Sequence, residues 1–150
     1  MGYDPKEMTT VTITVPAAAT QLAEALGFVQ SALTTAHVPA RLISVILLAT
    51  EEVFTNIAYY AYPGVEGEVV LSVSITAQKV ELTFIDSGLP HNPLSHAAPN
   101  LEAPAIDREI GGLGVFLVRQ LMDDVGYEYR DGRNILTLSM VLPGSGELPQ

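Results

Sequence analysis

Polar and apolar residues alternate over 9–16, TTVTITVP, with Val11, Ile13 and Val15 on one face and Pro16 ending the run. Period two among β-branched residues predicts a strand. The period then changes. Over 17–36, AAATQLAEALGFVQSALTTA, the positions Leu22, Ala25, Leu26, Val29 and Leu33 recur at steps of three and four, which predicts an amphipathic helix. Gly27 is a weak point inside it, because glycine costs a helix backbone entropy. His37-Val38-Pro39 makes a short break, and Pro39 opens a second helix over about 40–61. Leu42, Val45, Ile46, Ala49, Val53 and Ile57 form its apolar stripe, and Tyr62-Pro63-Gly64 stops it.

Alternation returns at 68–76, EVVLSVSIT, with Val69, Leu71, Val73 and Ile75 in phase. A turn at 77–79 joins it to VELTFID at 80–86, where Val80, Leu82 and Phe84 share a face, so the two segments read as an antiparallel hairpin. Farther on, the pattern predicts a helix over 112–123 and a strand at 127–131. Asp131-Gly132 is a turn signal, after which RNILTLSMVL returns as a last strand. Residues 87–110 have no period and hold prolines at 90, 93, 99 and 104. A stretch this long without elements is uncommon and usually functional, so a lid is expected; a disordered insertion is the other reading. The tail GSGELPQ should fray. There is no internal repeat and no sign of a second domain, so residues 1–150 read as one domain.

Composition narrows the function classes. With 48% hydrophobic residues in 150, the chain can bury a real core. No run of 18 or more apolar residues occurs, so no membrane span is expected, and the N-terminus lacks the layout of a secretory signal. Met1-Gly2 alone does not define a lipidation site. The absence of cysteine excludes disulfides and thiolate metal sites and fits a cytosolic protein. A formal net charge of −10 disfavours nucleic acid as a partner. It also repels ATP unless a cation accompanies it, so a nucleotide ligand would come as its Mg²⁺ complex; solubility alone explains the charge equally well.

Three segments carry candidate chemistry. In EEVFTNIAYYAY, 51–62, Glu52 and Asn56 lie four apart and share a helix face. The carboxylate could polarise a hydroxyl or water, and the amide oxygen could ligate Mg²⁺. Glu-x-x-x-Asn is a common surface pattern, but this helix is strongly apolar, and polar groups facing inward from it need a partner. Glu51, about 100° round the helix, should face solvent. In DSGLPHNP, 86–93, Asp86 closes a strand and could accept a hydrogen bond from an adenine amine, with Gly88 letting backbone approach a flat base; an ordinary Asp-x-Gly turn would read the same. In GGLGVFLVRQLMDD, 111–124, Gly111, Gly112 and Gly114 open an apolar helix, and exposed N–H groups there can cradle phosphate. No Gly-Lys-Ser/Thr follows and no strand enters, so it is neither a Walker motif nor a dinucleotide fingerprint. His37, His91 and His96 lack metal-ligand spacing. Arg108 and Arg119 are the cations nearest the glycines, suited equally to a phosphate or to surface pairing.

The order and spacing of these segments resemble the Bergerat-fold ATPases shared by gyrase, Hsp90, histidine kinases and MutL. Within that superfamily the chain looks most like the small anti-sigma factor serine kinases of bacterial partner-switching systems. EEVFTNIAYYAYP resembles their N box, DSGLPHNP the first glycine box, and GGLGVFLVRQLMDDVGY the second. The resemblance covers nearly the whole chain. It implies an α+β, two-layer fold: a mixed, mostly antiparallel sheet with helices on one face. It implies that Glu52 is the general base, Asn56 the Mg²⁺ ligand and Asp86 the adenine-binding acid, with Gly88 beside it. Gly112 and Gly114, with Leu113 between them, match the phosphate-binding positions, and residues 90–110 match the ATP lid. Tyr60 stands where family members commonly carry His. The implied partners are a sigma factor and a serine-bearing antagonist protein, often with a dimeric kinase; the implied cofactors are ATP and Mg²⁺. An ATP-holding regulatory module without transfer and a detached histidine-kinase catalytic domain are the alternatives, and the intact Glu52 favours the kinase.

Overall fold

Each alternating segment becomes a strand of one sheet in the computed structural model, which describes residues 8–92 and 118–143. The strands are β1 (Thr9–Pro16), β2 (Glu68–Ile75), β3 (Lys79–Asp86), β4 (Asp124–Arg130) and β5 (Arg133–Val141). They lie in the order β1-β2-β3-β5-β4, and every described pairing is antiparallel. Two helices, α1 (Leu22–Thr35) and α2 (Ala40–Tyr60), share one core with the sheet. The arrangement is the α+β, two-layer fold expected, with a sheet that is antiparallel in every described pairing rather than mixed.

Period two decides which face of the sheet meets the helices. Val69, Leu71, Val73, Val80, Leu82, Phe84 and Leu138 are all buried, and they pack with Val29 and Leu33 of α1 and Ile46, Ala49 and Phe54 of α2. The other face carries hydroxyls. Thr10 bonds Ser74 and Thr12 bonds Ser72 across β1 and β2, each at 2.9 Å. At the sheet edge the apolar row of β1 tapers, with Val15 buried and Val11 37% exposed.

The helix expected over 17–36 begins later. Ala19–Gln21 forms a 3-10 turn and regular helix starts at Leu22. The α2 boundaries agree with the sequence to within a residue. By length and composition alone this 21-residue helix, with a mean hydropathy of 1.4 over its best window, would pass as a membrane span. Its buried stripe instead packs in the core.

The strand expected at 127–131 is also shifted. It begins at Asp124, because pairing with β5 (Asp124↔Ser139, Val125↔Leu138) outweighs the low strand preference of Gly126. It ends at Arg130, because Asp131 and Gly132 form the turn at φ 55° and 77°. Two consecutive positive values mark a tight hairpin of the kind that favours Asp-Gly. The greater part of the lid at 90–110, the glycine run with Gly112, Leu113 and Gly114, the start of the helix at 112–123, and the tail all lie outside the described residues. Residues 118–121 are helical, and Val118 and Met122 join the core.

Candidate functional site

Asp86 ends the inward-facing row Val80, Leu82, Phe84 and is 5% exposed, a carboxylate where the pattern calls for another apolar residue. Directly opposite on β5, in register with it, stands Asn134, which likewise precedes the buried row Leu136, Leu138, Met140 and is 6% exposed. Buried polar groups need partners, and these two supply each other. Asn134 Nδ2 donates to Asp86 Oδ1 at 2.9 Å and to the Leu89 carbonyl at 2.9 Å. Its Oδ1 accepts from the Tyr127 hydroxyl and from the His91 backbone N–H at 3.0 Å. The Gly88 N–H also donates to Asp86 Oδ1, at 2.9 Å. Asp86 Oδ2 receives no hydrogen bond from the described residues.

Asp86 and Asn134 stand in the wall of a cavity between the end of α2 and the β3-β5-β4 side of the sheet. From α2 come Val53, Asn56, Ile57 and Tyr60, and from the helical residues 118–121 come Val118 and Arg119. Phe84, Leu89, Val125 and Leu136 add apolar wall. A cavity with largely apolar lining and one acidic acceptor in its wall suits an aromatic heterocycle that carries an amino group.

The sequence candidates are distributed around this cavity. Asn56 and Asp86 both line it. Asn56 is half-buried, and its amide has no hydrogen-bond partner among the described residues. Glu52 lies one helical turn before Asn56, outside the lining, and is half-buried; Glu51 is exposed as expected. Burial, reinforced by the Glu51 charge, raises the Glu52 carboxyl above its ordinary value. Tyr127 is also raised, chiefly by burial and against the His91 backbone N–H, which lowers it.

Gly88 is outside the lining and owes its place to packing. A Cβ there would overlap the Ala61 carbonyl oxygen. With the Leu89 N–H donating to that carbonyl at 2.9 Å, the segment is pressed onto the end of α2. Tyr62 adds a second tie, its hydroxyl donating to the Glu68 carbonyl at 2.6 Å and accepting from the Ser87 N–H at 2.8 Å. His37 sits in the interhelix loop at φ 61°, and His91 borders the cavity. Arg119 lines it too, whereas His96 and Arg108 lie outside the described residues.

A divalent ion fits this donor set only as part of a nucleotide complex. Among the described residues no cluster of three or more His, Asp or Glu side chains could cage a metal. Mg²⁺ accepts such a site, since it keeps waters and is bound through one or two protein oxygens plus substrate phosphates. Asn56 lines the cavity, and its amide oxygen is of the kind that could serve as one of those.

Asn134 and Tyr127 escaped the sequence reading. The signal for Asn134 was present: it is in phase with the apolar positions of RNILTLSMVL. Its partner, however, lies 48 residues away and is fixed only by strand register.

Comparison with known proteins bears on the family and the fold. The histidine kinase-like ATPase domain family matches residues 15–140. The serine/threonine-protein kinase BtrW of Bordetella bronchiseptica is 30% identical over 131 residues, covering 87% of this chain and 92% of that protein. The serine-protein kinase RsbW of Listeria monocytogenes is 32% identical over 94 residues, 59% of this chain and 60% of that protein, less than two thirds of its length. RsbW of Bacillus cereus is 28% identical over 93 residues, 59% of this chain and 58% of that protein. The crystal structure of the RsbU and RsbW domains of Rv1364c from Mycobacterium tuberculosis superposes with a TM-score of 0.65. At 16% identity, covering 89% of this chain and 32% of that one, it shows a shared fold.

Proposed function

Since this chain belongs to the histidine kinase-like ATPase domain family, we propose that it is a single-domain, ATP-dependent serine-protein kinase of a partner-switching system. It phosphorylates a serine on a small antagonist protein and otherwise holds a sigma factor, as a cytoplasmic protein and in a form that can dimerise. The observation that carries the ATP reading is the buried Asp86 carboxylate in the cavity wall, with Oδ2 left without a partner among the described residues. An adenine amine can donate to that oxygen while the ring lies against the apolar wall.

The roles are those the family resemblance implies, and the positions of Asp86 and Asn56 in the cavity lining support two of them. Asp86 fixes the base. Asn56, one wall away on α2, holds the metal that accompanies the phosphates, and Gly112, Leu113 and Gly114 are assigned to the phosphates themselves. When bound, Mg²⁺ neutralises phosphate charge, which this acidic chain would otherwise repel. Glu52 orients the acceptor serine and takes its proton as the serine oxygen bonds to the γ-phosphorus and the bond to the β-phosphate oxygen breaks, releasing ADP. Positioning and charge neutralisation supply most of the rate. The raised proton affinity of Glu52 suits a base, since a base is most effective when its pKa approaches the working pH.

One observation favours a second reading. Glu52 lies outside the cavity lining, as it would in an ATP-binding module that sequesters a partner without transfer. A labelling experiment separates the two. The protein, or Glu52→Ala, is incubated with Mg²⁺ and γ-labelled ATP in extract of the cells that make it. Label on serine of a small protein, lost with Glu52→Ala, supports the kinase. Bound ATP with no transfer by the wild type supports the module.

A further inference from the structure

We infer that Asn134, held by Tyr127, is a positioning residue that makes this site selective for a 6-amino purine over a 6-oxo purine. The inference rests on the ATP reading above and extends it to the choice of base.

An asparagine amide has two N–H donors and two acceptor lone pairs. All four are used here. The donors go to Asp86 Oδ1 and the Leu89 carbonyl, and the lone pairs take the Tyr127 hydroxyl and the His91 N–H. Turning the amide over would set Nδ2 against the His91 N–H and Oδ1 against two acceptors, Asp86 Oδ1 and the Leu89 carbonyl, so its orientation is fixed. At 6% exposure, water cannot repair such a mismatch. The fixed amide in turn fixes Asp86. Together with the Gly88 N–H it draws Oδ1 to the protein side and leaves Oδ2 as the oxygen free of partners among the described residues.

The consequence for a ligand is direct. The cavity wall presents a carboxylate acceptor, and the amide beside it has no donor left to offer. A 6-amino group donates to that oxygen. A 6-oxo group in the same place sets two acceptors against each other in a buried slot, and an unmade buried hydrogen bond is more damaging than an exposed one. The selectivity therefore depends on Asp86 being unable to turn and on no mobile water entering beside it. Asn134→Ala opens both routes. A water in the vacated space meets the same four groups but can reorient, donating toward a 6-oxo base as readily as it accepts from a 6-amino one.

The test is calorimetric titration of the full chain with Mg²⁺-ATP and Mg²⁺-ITP, which differ at the 6 position. The wild type should bind ATP about 100-fold or more tighter than ITP, as sites built to bond one polar group reject analogues lacking it. Asn134→Ala should reduce that ratio at least tenfold. Tyr127→Phe, which removes one hydroxyl and is the gentler change should Asn134→Ala fold poorly, should reduce it about three- to tenfold. A merely structural role would weaken both nucleotides by the same factor, and an unchanged ATP/ITP ratio in both variants overturns the proposal. Equal affinity of the wild type for ATP and ITP overturns it as well. Binding of neither nucleotide by the wild type refutes the ATP reading, and the selectivity falls with it.

Discussion

Glu52 and Asp86 are both carboxylates beside one cavity, and their surroundings give them different roles. Asp86 is bonded through Oδ1 to two donors and sits in the wall. Glu52 has no hydrogen bond or ion pair among the described residues, and burial beside Glu51 makes its ionised form costly. The folded protein therefore holds the Glu52 proton more tightly than the unfolded chain does. Stability is lost as pH rises from the ordinary glutamate value of 4.5 through the raised folded-state value. Glu52→Gln should accordingly melt higher than the wild type at pH 7, with the gain vanishing in acid below the ordinary value; thermal melts across pH check this. A gain of the same size at every pH would contradict it. In phosphotransfer, Glu52→Ala should leave ATP affinity within about threefold while activity falls by 100-fold or more, roughly the scale of general-base catalysis. Parallel loss of both would remove the base assignment. Asp86 was legible in the sequence because it ends a strand before Ser-Gly. Asn134 and Tyr127 were not, because their significance comes from a pairing that no local window contains.

At the level of elements, local pattern located the strands and helices, and tertiary contact moved their ends. β4 begins three residues earlier than its own sequence suggests, because β5 offers it a full ladder. The reason for Gly88 was also hidden. The sequence reads it as room for a base; the structure adds the backbone of Ala61 at the end of α2, which leaves no space for a Cβ. That contact fixes where the Asp86 segment leaves the sheet. Gly88→Ala should destabilise by about 1–3 kcal/mol, the usual cost of forcing atoms into a packed contact. For a chain of this size it should lower Tm by at least about 2 °C. An unchanged Tm would mean the segment is not pressed onto α2. Gly27 is the opposite case. It is exposed inside α1, and a Cβ added there would meet no atom within 4 Å. Gly27→Ala should therefore stabilise by about 0.5–1 kcal/mol, read from denaturant melts. A loss instead would show that the position does more than continue a helix.

For the whole molecule, charge sets conditions on the site. A chain at −10 repels a free nucleotide. ATP titrated without divalent ions should therefore bind more tightly as monovalent salt screens that repulsion. Tighter binding at low salt would show that local cations such as Arg119, in the cavity wall, outweigh the net charge. The two-layer fold was legible throughout, because period two and period 3.6 separate the elements cleanly and mark the faces that meet. The site was legible only as single residues on three segments, and the fold is what brings Asn56 and Asp86 to one cavity. On the proposed function, ATP enters this cavity and is held through Asp86. Calorimetric titration with ATP, with and without Mg²⁺, on the wild type and Asp86→Asn tests it most directly. Binding should depend on Mg²⁺ and weaken at least about tenfold in the variant, the scale of one hydrogen bond to a charged group. Equal ATP affinity in the two proteins would contradict it.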